Sequence, residues 1–274
     1  MTHPFSYQDR RVVVTGGSRG VGAALLDVLA ELDAGHVTVL DLNPPTGPHD
    51  TFLATNLAEE DALRGAIAAI EGPVHALFNN AGVADTSPAP VVFGVNYLAL
   101  RTLSEGLLDR MPEGSGIVNT ASTAGNMWKK RKDQLDELLA LDVMSGWASS
   151  QSWFDEHAAE FDEGPYNFTK QIVVRYTAQS SRPTMRRGVR TNAVCPGPIA
   201  TPLAEDFRAT AGDKVMNWNI REMAGRAVAA REVATTLAFL GSSGASYING
   251  VDLAIDGGFF AAIATGQVDY SGRT

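Results

Sequence analysis

The sequence predicts an α/β fold, a doubly wound parallel sheet of seven strands with helices on both faces. Three observations carry this. A β-branched apolar run from Arg11 to Thr15 leads at once into a glycine-rich turn and then a stretch of helical spacing. Short apolar runs recur at 36–41, 51–54, 74–78, 116–121, 189–194 and after Ile248, with helical patterns between most of them. Strands alternating with helices build parallel sheets.

The first strand and turn are the most informative local unit. Gly16, Ser18, Arg19, Gly20, Val21 and Gly22 follow the strand directly, and residues 23–34 continue as a helix. Backbone N–H groups and a helix N-terminus in that context stabilise a pyrophosphate. Glycine lets the backbone approach it closely. The second strand, 36–41, ends in Asp41 with Leu42 after it. A carboxylate there can accept both ribose hydroxyls of adenosine and repels a 2′-phosphate, which favours NAD over NADP. Arg19 pulls the other way, since a guanidinium can pair with a 2′-phosphate. After the third strand, 51–54, Asn56 and Leu57 put an amide within reach of an adenine edge, and residues 59–70 have helical spacing. After the fourth, the small residues Asn80, Ala81 and Gly82 would let a ligand lie flat across the sheet.

Residues 91–111 are expected as one long helix carrying Asn96, and 116–121 as the fifth strand, followed by Ser122. A hydroxyl at a strand's carboxyl end can hydrogen-bond a substrate oxygen; Thr120 and Thr123 are competing neighbours. Tyr166 and Lys170 fall at i and i+4, on one face of a helix. A phenol of pKa about 10 transfers protons poorly at neutral pH. An ammonium about 4 Å away, at an effective dielectric near 20, favours phenolate by roughly 4 kcal/mol. The pair therefore suits general acid–base catalysis near neutrality.

Bulk properties narrow the class. The chain has 274 residues, one cysteine (Cys195), five scattered histidines and a formal net charge of −9. That charge disfavours a nucleic-acid or anionic-membrane surface. No internal disulfide can form, which fits a reducing compartment. No histidine makes a metal-ligand spacing with another His or Cys, so no metal site is expected. The first ten residues lack a signal peptide's apolar core, no run is long enough to span a membrane, and a cytoplasmic location is expected. The basic run 129–132 reads as a solvated helix start.

Taken together, the turn from Thr15 to Gly22, the Asn79-Asn80-Ala81-Gly82 run, Ser122 and the Tyr166/Lys170 pair resemble the short-chain dehydrogenase/reductase family in its shorter form. The resemblance covers nearly the whole chain. It implies one Rossmann-type domain over 1–274, strand order 3-2-1-4-5-6-7, and hydride transfer to or from a nicotinamide. It also implies that Ser122 orients the substrate oxygen, Tyr166 exchanges the proton, and Lys170 lowers the phenol's pKa and binds the nicotinamide ribose. Asn96 would kink its helix and hold a water that relays protons to the lysine. Pro196, Gly197, Ile199 and Thr201 match the loop that holds the carboxamide, and residues 204–223 the mobile lid. A non-catalytic dinucleotide sensor and an NADP-dependent ketone reductase are the alternatives.

One departure is large. Ser122 and Tyr166 are separated by an insertion at about 126–164, with helical patterns at 132–143 and 149–161. A similar insertion occurs in the bacterial 3α-hydroxysteroid dehydrogenase/carbonyl reductase subgroup and in bacterial coniferyl alcohol dehydrogenases. In that subgroup it covers a tetramer face, which implies a homodimer, with a tetramer as the other state. Trp128, Trp147 and Trp153 lie in the insertion and Trp218 in the lid. They are expected to wall a pocket for a hydrophobic, ring-bearing alcohol or ketone. Residues 259–274 form a tail that could reach a partner subunit.

Overall fold

The computed structural model of the chain describes residues 3–161 and 163–273. Met1, Thr2, Asp162 of the inserted stretch and Thr274 of the tail lie outside them. Seven strands form the sheet: β1 (Arg11–Thr15), β2 (His36–Asp41), β3 (Thr51–Ala54), β4 (Ala76–Asn79), β5 (Gly116–Thr120), β6 (Arg190–Pro196) and β7 (Asp252–Ile255). They are all parallel, in the order β3-β2-β1-β4-β5-β6-β7. The order reverses between β1 and β4, which opens a crevice at their carboxyl ends.

Side-chain alternation feeds two apolar layers. Val12, Val14, Val37 and Val39 pack with Leu25, Leu26 and Leu29 of α1 (Gly20–Glu31) and with Val233 and Leu237 of α10 (Ala230–Gly241). Val13, Leu40, Leu77 and Ile117 pack on the other face, with Leu63 of α2 (Glu60–Ala69) and with Phe168, Ile172 and Val173 of α7 (Gly164–Met185). Such two-sided burial is what near-continuous apolar strands require.

The helix expected over 91–111 is broken. It runs as α3 (Ala89–Phe93), a π-helical turn (Gly94–Leu98), α4 (Ala99–Gly106) and a short 3₁₀ turn (Leu108–Arg110). The cause is visible at Asn96. Its Nδ2 donates to the Val83 carbonyl (3.0 Å) and to Thr169 Oγ1 (3.2 Å), while its Oδ1 accepts from the Val83 N–H (2.9 Å). A mid-helix amide drawn to another segment in this way forces the wider turn.

The inserted stretch is helical, as its periodicity indicates. A 3₁₀ segment (Thr123–Arg131) leads into α5 (Lys132–Ala140) and α6 (Ala148–His157). Leu135, Leu138, Leu139, Phe154 and Phe161 belong to the same apolar layer as α7. Arg175 of α7 pairs with Asp136 of α5 at 2.6 Å. Trp147, only 1% exposed, donates its indole N–H to Thr102 Oγ1 on α4 at 2.9 Å. Trp147→Ala would remove a large core side chain and strand a buried hydroxyl. It is expected to cost about 3–5 kcal/mol of unfolding free energy, measured by denaturant titration. The remaining helices are α8 (Leu203–Ala211), α9 (Asp213–Met223) and α11 (Phe259–Ala264).

Candidate active site

The crevice at the sheet's carboxyl edge is a cavity of ≈1710 Å³. Typical small-molecule pockets reach about 1,000 Å³, so two ligands fit side by side. At one end lies the glycine turn between β1 and α1. Gly16 has φ +72°, and a Cβ there would meet Ala81 Cα at 2.8 Å. A Cβ on Gly22 would lie 1.8 Å from the Gly16 carbonyl oxygen. Only glycine is tolerated at both positions, and the open backbone is what a close-lying pyrophosphate needs. No side chain caps the N-terminus of α1, which faces this space.

The turn is tied to its neighbours through polar side chains. Thr15 Oγ1 accepts from the Asn80 and Ala81 N–H groups, each at 3.0 Å. Asn80 Nδ2 donates to the carbonyls of Thr15 (3.2 Å) and Gly16 (3.1 Å). Asp41 accepts from the Ser18 N–H at 2.9 Å and from the Asn43 N–H at 3.1 Å. Its carboxylate is thus fixed beside the turn, with Arg19 and Leu42 lining the same end. Asn56 and Leu57 also line the cavity. The Asn56 amide is engaged locally, however: Nδ2 donates to Glu59 Oε1 (2.7 Å), and Oδ1 accepts from the Ala58 N–H (3.1 Å). The cradle of glycines, open helix end and carboxylate fits an adenine dinucleotide.

At the middle of the cavity the three expected polar side chains converge. Ser122, at the end of β5, accepts from the Ala124 N–H (3.2 Å), and its hydroxyl lies near enough to the Tyr166 phenol to favour the phenolate. Lys170 Nζ lies 5.5 Å from the Tyr166 ring centre and donates to the Thr120 carbonyl at 2.9 Å. Gly82, Pro196, Gly197, Ile199 and Thr201 complete this wall. Thr201 reaches back to the glycine turn: a Cβ on Gly20 would lie 3.4 Å from its Cγ2.

Two expectations need correction. First, the phenol is not brought toward neutrality. Burial pushes Tyr166 up to about 12, with the Asp85 carboxylate adding to the rise and the Ser122 hydrogen bond opposing it. Burial also pulls the Lys170 ammonium down to about 8. The spacing argument counted the attraction of the pair and left out the desolvation of both groups. Asn96 stands apart from these: it breaks its helix, as expected, from a position that does not line the cavity. It clamps Val83, and a Cβ on Gly82 would sit 3.4 Å from its Oδ1 and 3.5 Å from Lys170 Nζ. Its position is behind the active-site wall. Second, none of the four tryptophans lines the cavity. Trp153 stacks on His157 at 4.1 Å, Trp128 lies under Arg175 at 5.4 Å, and Trp147 is in the core. Trp218 packs edge-on against Phe259 (5.7 Å) and Tyr270 (6.0 Å), one layer behind the wall. These indoles fill the joints between elements.

Other residues take the apolar role. Phe207 of α8 meets the Tyr166 ring edge-on at 4.7 Å. Met127, Met216, Met223, Phe259, Phe260 and Ile263 line the same region. The tail from Phe259 therefore folds back over its own chain's cavity. Its signal was the paired aromatics after Gly257 and Gly258. Asp85 was also missed. It accepts from the Tyr166 N–H at 2.8 Å and so anchors the first turn of α7. Thr86 beside it donates to Asp206 of α8 at 3.1 Å. Nothing local in the sequence marks a carboxylate that acts across such a separation.

Residues 10–132 match the family description "short chain dehydrogenase", and residues 150–260 match "Enoyl-(Acyl carrier protein) reductase". A coniferyl-alcohol dehydrogenase of a Pseudomonas species is 31% identical over 91% of this chain and 96% of its own length. A cis-4-hydroxycyclohexanecarboxylate dehydrogenase of Sinomonas cyclohexanicum is 30% identical, over 93% and 98% respectively. Among solved structures, a 3-alpha-hydroxysteroid dehydrogenase of a Pseudomonas species complexed with NADH superposes with TM-score 0.74 at 28% identity. It covers 94% of this chain and 100% of that one.

Proposed function

The chain belongs to the short-chain dehydrogenase/reductase family, and from that we propose that it interconverts a bulky, ring-bearing alcohol and its ketone or aldehyde, with NAD as the dinucleotide. The observation that carries this reading is one of placement. The Tyr166 phenol, Ser122 and Lys170 open onto the same cavity as the glycine turn and Asp41. The apolar side chains around Phe207 and Phe259 favour a ring-bearing substrate, and the relatives named above act, by their names, on ring-bearing alcohols.

When bound, the nicotinamide supplies the hydride acceptor or donor; the chain's own groups handle the oxygen and its proton. Ser122 donates a hydrogen bond to the substrate oxygen and fixes it against the phenol. In the reducing direction Tyr166, kept neutral by burial, gives its proton to that oxygen as the alcohol forms. In the oxidising direction the phenolate removes the hydroxyl proton. Lys170 holds a positive charge beneath the ring and binds ribose hydroxyls. Phe207 and the lid exclude water from the exchange.

Asp41 supports NAD. Its fixed carboxylate would repel a 2′-phosphate, whereas Arg19 at the same end would favour one. Asp41→Ala is expected to lower the NAD-to-NADP ratio of kcat/KM by about tenfold, the factor given by ~1.4 kcal/mol of relieved repulsion. An unchanged ratio would show that Asp41 does not set the preference. The activity itself is tested by following the reduced nicotinamide spectrophotometrically across a panel of ring-bearing alcohols. Because α5 and α6 pack along α7, the reading favours a homodimer over a tetramer.

A further inference from the structure

The segment after β4 grips Tyr166 by both polar atoms of its backbone. Asp85 Oδ1 accepts from the Tyr166 N–H at 2.8 Å. The Tyr166 carbonyl accepts from Thr169 Oγ1 at 2.7 Å. Thr169 Oγ1 in turn accepts from Asn96 Nδ2 at 3.2 Å, and Asn96 bonds both the N–H and the carbonyl of Val83. Residues 83–85 thus hold Tyr166 directly at one end and through two buried side chains at the other.

The hold on the N–H answers a local need. Helix α7 begins Gly164, Pro165, Tyr166. The Gly164 N–H donates to the Phe161 carbonyl at 2.8 Å, proline has none to donate, and Glu163 at the N-cap position makes no side-chain bond. Asp85 supplies the acceptor that an N-cap side chain would otherwise present to the third residue. Gly164 makes room for it: its φ is +85°, and a Cβ there would lie 2.7 Å from Asp85 Oδ2. The next residue, Thr86, donates to Asp206 of α8 at 3.1 Å. Asp206 precedes Phe207, whose ring meets the Tyr166 ring at 4.7 Å. Asp85 and Thr86 therefore hold the two elements that carry this ring pair.

We propose that Asp85 is a positioning residue for the proton exchange: it seats Tyr166 from outside the helix and keeps a negative charge near the phenol. This rests on the dehydrogenase reading above. A carboxylate near a phenol disfavours the phenolate, and the Asp85 charge acts on Tyr166 in that sense. The other groups around the phenol are Ser122 after β5, Lys170 on α7 itself and Cys195 on β6. Glu163, before Gly164, lines the same cavity, and Asp206 is held by Thr86.

Two substitutions separate position from charge. Asp85→Ala removes both, whereas Asp85→Asn keeps an oxygen for the Tyr166 N–H without the charge. Turnover is read on a ring-bearing alcohol that wild type oxidises. The tyrosinate band is read on the NAD-loaded protein, each form minus its own Tyr166→Phe counterpart. Asp85→Ala is expected to lower the plateau kcat about ten- to hundredfold, with KM little changed. Asp85→Asn is expected to recover most of that loss and to bring the tyrosinate midpoint down by roughly one pH unit. A carboxylate that served the fold alone would leave the midpoint where it stands. Asp85→Ala turning over as wild type does, or Asp85→Asn with an unmoved midpoint, overturns the assignment; the second result stands whether or not the alanine variant folds. The band needs no substrate. A shifted band in a protein that oxidises none of the alcohols would sink the dehydrogenase reading and leave the Asp85 charge acting on Tyr166.

Discussion

Replacing Tyr166 by phenylalanine is expected to lower turnover by about 10²–10⁴-fold while leaving dinucleotide affinity nearly intact. The ring would keep its edge contact with Phe207 at 4.7 Å, and α7 would keep its Asp85 anchor on the backbone N–H of residue 166 at 2.8 Å. Only the phenolic oxygen and its exchangeable proton are lost. A fall confined to the chemical step, with KM little changed, is the pattern of an interaction made in the transition state. Steady-state kinetics paired with dinucleotide titration would check it. Turnover that survives at the wild-type level would remove Tyr166 from the reaction.

Lys170→Met is expected to abolish most activity and yet make the protein more stable at neutral pH. Lys170 is 4% exposed, and burial lowers its pKa from 10.5 to about 8. The folded-state pKa is therefore below the unfolded one. Below about 8 both states hold the proton, and the folded state bears the whole cost of the buried charge. As pH rises from about 8 toward 10.5, the folded state releases the proton first and that cost disappears. The full shift corresponds to roughly 3 kcal/mol at most, offset in part by the lost bond to the Thr120 carbonyl. The variant should melt several degrees higher than wild type at pH 7, and the gap should close in alkali. A lower melting temperature at pH 7 would show that the ammonium is a net structural asset. A gain in stability with a loss of turnover is the usual signature of a strained functional residue.

The strands were legible because each is a compact apolar run bounded by turn residues, and a buried parallel strand has no other sequence pattern. β1, β2 and β3 fall where the sequence puts them. The glycine turn was legible because its demand is local: close backbone approach and a left-handed φ at Gly16. The positions of Ser122, Tyr166 and Lys170 in one cavity followed from motif order. What failed depends on contacts between distant segments. The kink at Asn96 was expected, but its partner Val83 was not legible. The tryptophans read as a pocket because they cluster in the chain, yet the folded structure uses them as filler. Phe259 and Phe260 read as a tail, yet they lie over the site. The phenol's acidity was misjudged for a different reason: sequence spacing reports how near a charge lies, not how much water burial removes.

The central claim is that the Tyr166 phenol exchanges the proton with the substrate. It is tested most directly by the near-ultraviolet tyrosinate band, taken as wild type minus Tyr166→Phe and titrated with and without oxidised dinucleotide. The account expects Tyr166 to stay neutral well past the ordinary value of 10.0 in the free protein. Its ionisation should move down when the positively charged nicotinamide binds, to the pH at which alcohol oxidation begins to rise. A difference band that the dinucleotide leaves unmoved, with the rise in oxidation persisting in Tyr166→Phe, would contradict it.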